Sequence, residues 1–150
     1  MVSRDRRDQI LEASNQPAEL YELPERSRLL HIGLMKTGTT ALQRAASARR
    51  QTLLRHGVRY PGRLYNHRQA ALALMNRGSR FARDERLADA WDALLDEIDQ
   101  ESDRKIWISN EFICGCDDRA AVQFLADLGA RTHVVVTLRS VAATLPSLWQ

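Results

Sequence analysis

Residues 28–40 read Arg28-Leu29-Leu30-His31-Ile32-Gly33-Leu34-Met35-Lys36-Thr37-Gly38-Thr39-Thr40. Arg28 to Leu34 is a short apolar run, and a Gly- and Thr-rich turn follows it. From Thr39 to His56 the residues favour helix, with Leu42, Ala45, Ala46 and Leu53 on one face. The succession predicts a buried strand, a tight turn and a helix start. Gly38 lets the backbone turn closely round an anion. Backbone N–H groups at the helix start point at such a ligand, and the helix dipole favours negative charge there. Lys36 adds a point charge, and Thr39 and Thr40 add hydroxyl donors. The stretch is built as a phosphate cradle. The plain alternative is a Gly/Thr turn that only caps a helix. It is not a Walker A loop, in which the lysine follows the second glycine. Here Lys36 comes two residues before Gly38.

Outward from this stretch, helices and strands alternate. Gly57 stops the first helix, and Tyr60-Pro61-Gly62 marks a turn. Asn66, with Gln69 three residues on, has the pattern of a capping box for a helix over Ala70 to Met75, ended by Gly78. Leu87, Trp91, Leu94, Leu95 and Ile98 fall at helical spacing. Lys105 to Ser109 (KIWIS) reads as a second strand. Asp117 or Asp118 caps a helix carrying Ala121, Phe124, Leu125 and Leu128, closed by Gly129. His133 to Leu138 (HVVVTL) reads as a third strand, with a helical tail after Arg139. Short apolar strands separated by amphipathic helices predict an α/β fold with a parallel sheet flanked by helices. Residues 1–27 read as a polar leader, broken by Pro17 and Pro24, and residues 28–150 as the domain. Ligands of open α/β sheets bind beyond the carboxyl ends of the strands. The segments that matter are therefore those after Leu34, Ser109 and Leu138.

Composition narrows the class. A chain of 150 residues suits one domain, and 44% hydrophobic with 27% charged residues is ordinary for a soluble globular protein. The net charge is +3, with the basic residues scattered among acids rather than gathered in the stripe a nucleic-acid binder shows. No apolar run approaches the roughly 18 residues of a membrane span, and Met1 to Pro24 has no apolar signal core. Of 22 basic residues 20 are Arg, so Lys36 and Lys105 stand out as the two lysines. Cys114-Gly115-Cys116 is too tight for an unstrained disulfide and lacks the neighbours of a metal site. It reads as two reduced thiols, in keeping with a cytoplasmic location.

With Lys36-Thr37-Gly38-Thr39-Thr40 between strand and helix, the chain resembles the sulfotransferases that use 3′-phosphoadenosine 5′-phosphosulfate (PAPS). Their 5′-phosphosulfate loop has this form. Their 3′-phosphate signature is an Arg at the end of a later strand followed by a Ser. Here Val134-Val135-Val136-Thr137-Leu138-Arg139 is followed by Ser147, eight residues on, at the family's spacing. The resemblance implies a P-loop-like fold, PAPS as co-substrate and transfer of a sulfuryl group to a hydroxyl or amine. The acceptor would be a small molecule, a carbohydrate or a lipid. Carried over by position, Lys36, Thr37, Gly38, Thr39 and Thr40 hold the 5′-phosphosulfate, and Arg139 and Ser147 hold the 3′-phosphate. Arg offers a planar fork to phosphate. Lys36 can neutralise charge on the leaving phosphate oxygen. No motif points to a metal, and the family does not generally need one for transfer.

Family members use a His or Glu as general base. Glu111, after the second strand, is the first candidate and His67 the second. The resemblance covers roughly Arg28 to Gln150, the N-terminal half of a typical family domain, so the sheet is expected to be truncated after its third strand and the following helix. Pro146 falls inside that helix, where it removes a hydrogen bond. Such a sheet would leave Trp149 and the last strand partly open and favour self-association. Two other readings stay open. One is a catalytically silent remnant that at most binds nucleotide. The other is a P-loop nucleotide kinase or NTPase, for which Glu111 is the nearest substitute for a Walker B carboxylate.

Overall fold

The structure, a computed structural model, describes residues 21–76 and 88–148. Most of the polar leader, the expected stop at Gly78, and Leu87 and Trp149 lie outside the described residues. Strand β1 (Arg28–His31) leads to helices α1 (Thr39–Ala48) and α2 (Arg50–Arg55), then to the short strand β2 (Val58–Arg59). Helices α3 (Arg68–Met75) and α4 (Ala90–Gln100) precede strand β3 (Lys105–Ser109). A 3₁₀ turn (Glu111–Gly115), helix α5 (Asp118–Leu128), strand β4 (Thr132–Val135) and helix α6 (Val141–Leu148) complete the order. The four strands form one parallel sheet in the order β2-β3-β1-β4. The fold is thus α/β, with an all-parallel sheet flanked by helices.

Alternation along the strands sorts residues onto two faces. Leu30, Ile106 and Ile108 point one way and are buried with Leu74 of α3, Trp91 and Ile98 of α4, and Phe124 and Leu128 of α5. Trp91 meets Phe124 edge-on at 4.9 Å, and its indole N–H donates to Asp127 at 2.7 Å. The large aromatic therefore buries its ring without leaving its polar atom unpaired. On the opposite face His31 and Ser109 are register partners of β1 and β3. Both are almost wholly buried.

Several expectations are corrected. The sheet has four strands rather than three, because Gly57 turns the chain into the two-residue β2, paired Val58 to Lys105 and Arg59 to Ile106. The expected helix over Thr39 to His56 is two helices, broken at Arg49. Next to that break, Arg50 donates to the Ser47 carbonyl and hydroxyl and to Tyr60 O. The buried face of α1 is Thr39, Gln43 and Ala46, whereas Leu42 is exposed. At α3 the cap position is His67, although Asn66 Oδ1 does accept from the Arg68 N–H at 3.3 Å. Asp117 caps α5 as expected, accepting from Ala120 N–H at 2.8 Å. Strand β4 is an edge, and Val134 and Val135 within it and Val136 and Leu138 after it are exposed. Pro146 lies inside α6, which begins at Val141.

Candidate functional site

In a parallel sheet every strand delivers its following loop to the same end. Past the ladder, β1 and β4 stay in step: Ile32 N–H donates to Val135 O at 2.9 Å and Leu34 N–H to Thr137 O at 3.2 Å. Lys36 and Arg139 each follow two residues after that last bond. They leave adjacent strands at the same edge, and both are exposed. On the other side of β1, Asn110 N–H donates to His31 O at 3.0 Å, and Glu111 opens the 3₁₀ turn after β3. Lys36, Glu111 and Arg139 thus stand at the carboxyl ends of three neighbouring strands. Ser147 lies in α6.

The loop after β1 is shaped by its backbone. Gly38 has φ +92° and open space around it. Lys36 has φ +64°, a left-handed conformation that is uncommon without glycine. Gly33 is required for a different reason. A Cβ there would lie 2.3 Å from Thr137 Oγ1 and 2.8 Å from His31 Nε2. The Gly38 carbonyl accepts from Ala41 and Leu42, which opens α1. No acidic residue occupies the first turn of α1. The expected loop residues divide: Lys36, Gly38 and Thr40 are exposed, Thr37 is half-buried and the Thr39 side chain is buried.

Behind the loop runs a chain of buried polar groups. Asn66 Nδ2 donates to Gln43 Oε1 at 3.4 Å. Gln43 Nε2 donates to Ser109 Oγ at 3.2 Å and to Glu111 Oε2 at 2.8 Å. Ser109 Oγ lies 2.8 Å from His31 Nδ1, and His31 Nε2 lies 3.2 Å from Thr137 Oγ1. Thr137 Oγ1 lies 2.9 Å from Thr37 Oγ1, which donates to Leu34 O at 2.6 Å. One assignment gives every hydrogen an acceptor: Ser109 donates to Nδ1, Nε2–H to Thr137, and Thr137 to Thr37. It requires a neutral His31. Burial indeed holds the His31 pKa below the ordinary value, against the pull of Glu111. The network ties the loop after β1 to Glu111 through Gln43 of α1.

His67 has another role. Ser109 N–H donates to its Nδ1 at 3.0 Å, and its Nε2 donates to Pro61 O at 3.0 Å. Burial pushes its pKa down to about 4. With both ring nitrogens committed to backbone, His67 has no free lone pair for an acceptor proton. It fastens β3 to the Tyr60-Pro61-Gly62 turn. Beside it, a cavity of about 230 Å³ is lined by Leu64, Asn66, Ala70, Ala90 and Leu94 among others.

His31, Gln43, Ser109 and Thr137 were not singled out as site residues from the sequence. The available signal was a polar residue within each apolar segment, His31 and Ser109 above all. Among the described residues no group of three or more His, Cys, Asp or Glu could hold a metal ion, and no helix is long and apolar enough to cross a membrane. No protein-family model, curated protein or solved structure matches the chain.

Proposed function

We propose that this chain binds PAPS at the carboxyl end of its sheet and transfers the sulfuryl group to an acceptor hydroxyl or amine. The observation that carries this reading is the placement of Lys36. It is a cation on a left-handed backbone, at the N-terminal and therefore positive end of α1, whose first turn has no acidic residue. That arrangement is unfavourable unless an anion sits between lysine and helix. The strand order, with the loop following β1, is compatible with a P-loop-like fold. Arg139, on the adjacent strand end, is within the same edge for a second phosphate.

In the proposed reaction the acceptor oxygen or nitrogen bonds to sulfur as the bond from sulfur to the bridging phosphate oxygen breaks. The electron pair leaves on that phosphate oxygen, beside Lys36. The acceptor proton passes to Glu111, whose carboxylate is aimed by Gln43 at 2.8 Å. The products are adenosine 3′,5′-bisphosphate and the sulfated acceptor. The mostly apolar cavity beside His67 suits the body of a small-molecule acceptor.

Calorimetry with adenosine 3′,5′-bisphosphate tests the binding half. The chain should prefer it to AMP and to ATP-Mg²⁺. Lys36→Ala should weaken it about tenfold or more, the worth of one charge-assisted bond. Arg139→Ala should erase the preference over AMP, because a charged group then lacks its partner. A preference for ATP-Mg²⁺, or unchanged affinity in Lys36→Ala, removes the reading. Labelled PAPS with phenol, alcohol and amine acceptors tests the transfer. Binding without turnover would mark a silent nucleotide-binding remnant.

A further inference from the structure

The amino end of the sheet holds a second cationic cavity. Arg26, Arg28, Arg104 and Arg131 line a space of about 230 Å³, together with Ser102. Its floor is apolar, from buried Ile106 and Leu128. Two of the four arginines are anchored. Arg28 Nη1 donates to the last carbonyls of α5, Asp127 O at 3.4 Å and Leu128 O at 2.6 Å. Arg104 donates to Glu101 at 2.8 Å and to Leu54 O at 3.5 Å. The other two, Arg26 and Arg131, are exposed, and among the described residues no carboxylate pairs with either.

Four acids near this end hold ion pairs. Glu22 and Glu25 lie on Lys105, at 3.6 and 3.1 Å. Asp99 reaches Arg28 at 3.4 Å, and Glu101 holds Arg104. The residues that line the cavity include four guanidinium groups and no carboxylate. Arg26 moreover has φ +59°, following the turn closed by Ser27 N–H on Pro24 O. Apart from Lys36 it is the one non-glycine residue of the described chain in that conformation. A left-handed arginine costs about 1–2 kcal/mol relative to an ordinary backbone, so a charge with no carboxylate partner among the described residues is held there at the expense of stability.

We propose that this cavity is a binding site for a phosphoryl-bearing small anion of at least two negative charges, distinct from the carboxyl-end site. Four arginines round one space, two of them exposed and without a carboxylate among the described residues, offer more donors than the two oxygens of a carboxylate need and suit the several oxygens of a phosphoryl group. The proposal is independent of sulfuryl transfer and stands or falls without it.

The test is titration of the full chain with inorganic pyrophosphate in magnesium-free buffer, followed by residue-resolved amide NMR. Amides of Ser102, Gly129, Ala130 and Arg131 should shift saturably, and more weakly as salt rises. Arg26→Gly combined with Arg131→Ala should weaken that response about tenfold or more. The same variant should leave the response of residues 36–40 unchanged. Arg26→Gly also relieves the left-handed backbone, and unchanged amide positions of Leu30, Ile106 and Ile108 in the ligand-free double variant show that the fold is kept. Silence of those four amides overturns the proposal, as does an unchanged response in the double variant. Succinate binding as tightly as pyrophosphate overturns the phosphoryl assignment.

Discussion

At the carboxyl end of the sheet, β1, β3 and β4 are followed by Lys36, Glu111 and Arg139. At the amino end the same three strands are preceded by Arg26, Arg104 and Arg131. The two ends present cations in opposite settings. Helices following parallel strands start at the carboxyl end and finish at the amino end, so dipoles favour anions at the first and cations at the second. Arg28 capping the last carbonyls of α5 is what electrostatics alone would place there. Lys36 at the start of α1 is not. The amino end is fastened by ion pairs with exposed acids such as Asp99, worth at most about 1 kcal/mol each. The carboxyl end is fastened by buried neutral groups. A cation that opposes its helix carries more functional meaning than one that caps it, and the polar network beside it fixes its neighbour Thr37.

The largest effect should come from Glu111→Gln. An amide of the same shape keeps the bond partner of Gln43 but cannot take a proton. Turnover of PAPS should fall about 100-fold to 10,000-fold, the usual worth of a positioned general base. Affinity for adenosine 3′,5′-bisphosphate should stay as it was. Turnover that survives the substitution would leave the carboxyl end with a nucleotide cradle and no base. The distinction between its two halves would then be lost.

Much of this contrast is visible in residues 28–40, where an apolar run gives way to Gly and Thr and the change of pattern is abrupt. The strand–turn–helix unit, β3 and α5 are legible for that reason. Strand β2 is not, because two residues carry no periodicity and Tyr60-Pro61-Gly62 masks them. Nor is the network behind the loop. His31, Gln43 and Ser109 find partners 66 to 106 residues away, and a residue's neighbours at that separation depend on sheet order. Gln43 in particular reads as a surface residue of α1, yet it faces inward because Ser109, Glu111 and Asn66 together satisfy its amide. Lys36 and Arg139 are legible as chemistry. Their shared edge follows only from the pairing of β1 with β4.

A second effect should appear on acidification and should separate the two ends by their fastening. The His67 pKa is pushed down to about 4 by burial, with Arg50 adding to the shift and Glu97 and the backbone bonds opposing it. In the unfolded chain it returns to about 6.5. Between these values the unfolded state binds more protons than the folded one, so stability falls as the pH falls from about 6.5 towards 4. The loss approaches about 3 kcal/mol at the bottom of that window. His31, lowered by burial as well, acts in the same direction. Urea unfolding at pH 7 and at pH 4.5 measures it, and His67→Gln should flatten the difference. Equal stability at the two pH values would mean that the imidazole is not held neutral.

The smallest effect compares one glycine from each end. At Gly33 a new Cβ would press on Thr137 Oγ1 at 2.3 Å, Thr39 Cγ2 at 2.6 Å and His31 Nε2 at 2.8 Å. Two of these three atoms belong to the buried network, so relief requires breaking the contact between His31 and Thr137. Gly33→Ala should cost about 1–3 kcal/mol, as overpacking does. At Gly129, φ is +76° and the nearest atom is Arg28 Nη1 at 3.8 Å. Gly129→Ala should therefore cost only its backbone conformation, with ψ at −178°, about 1–3 kcal/mol and no contact in the network. Urea unfolding of the two variants gives the ranking. Nucleotide titration gives the sharper result. Gly33→Ala should also weaken adenosine 3′,5′-bisphosphate, because Thr137 no longer steadies Thr37, whereas Gly129→Ala should leave that affinity alone. Equal weakening by both would show that the two ends of the sheet are not independent sites.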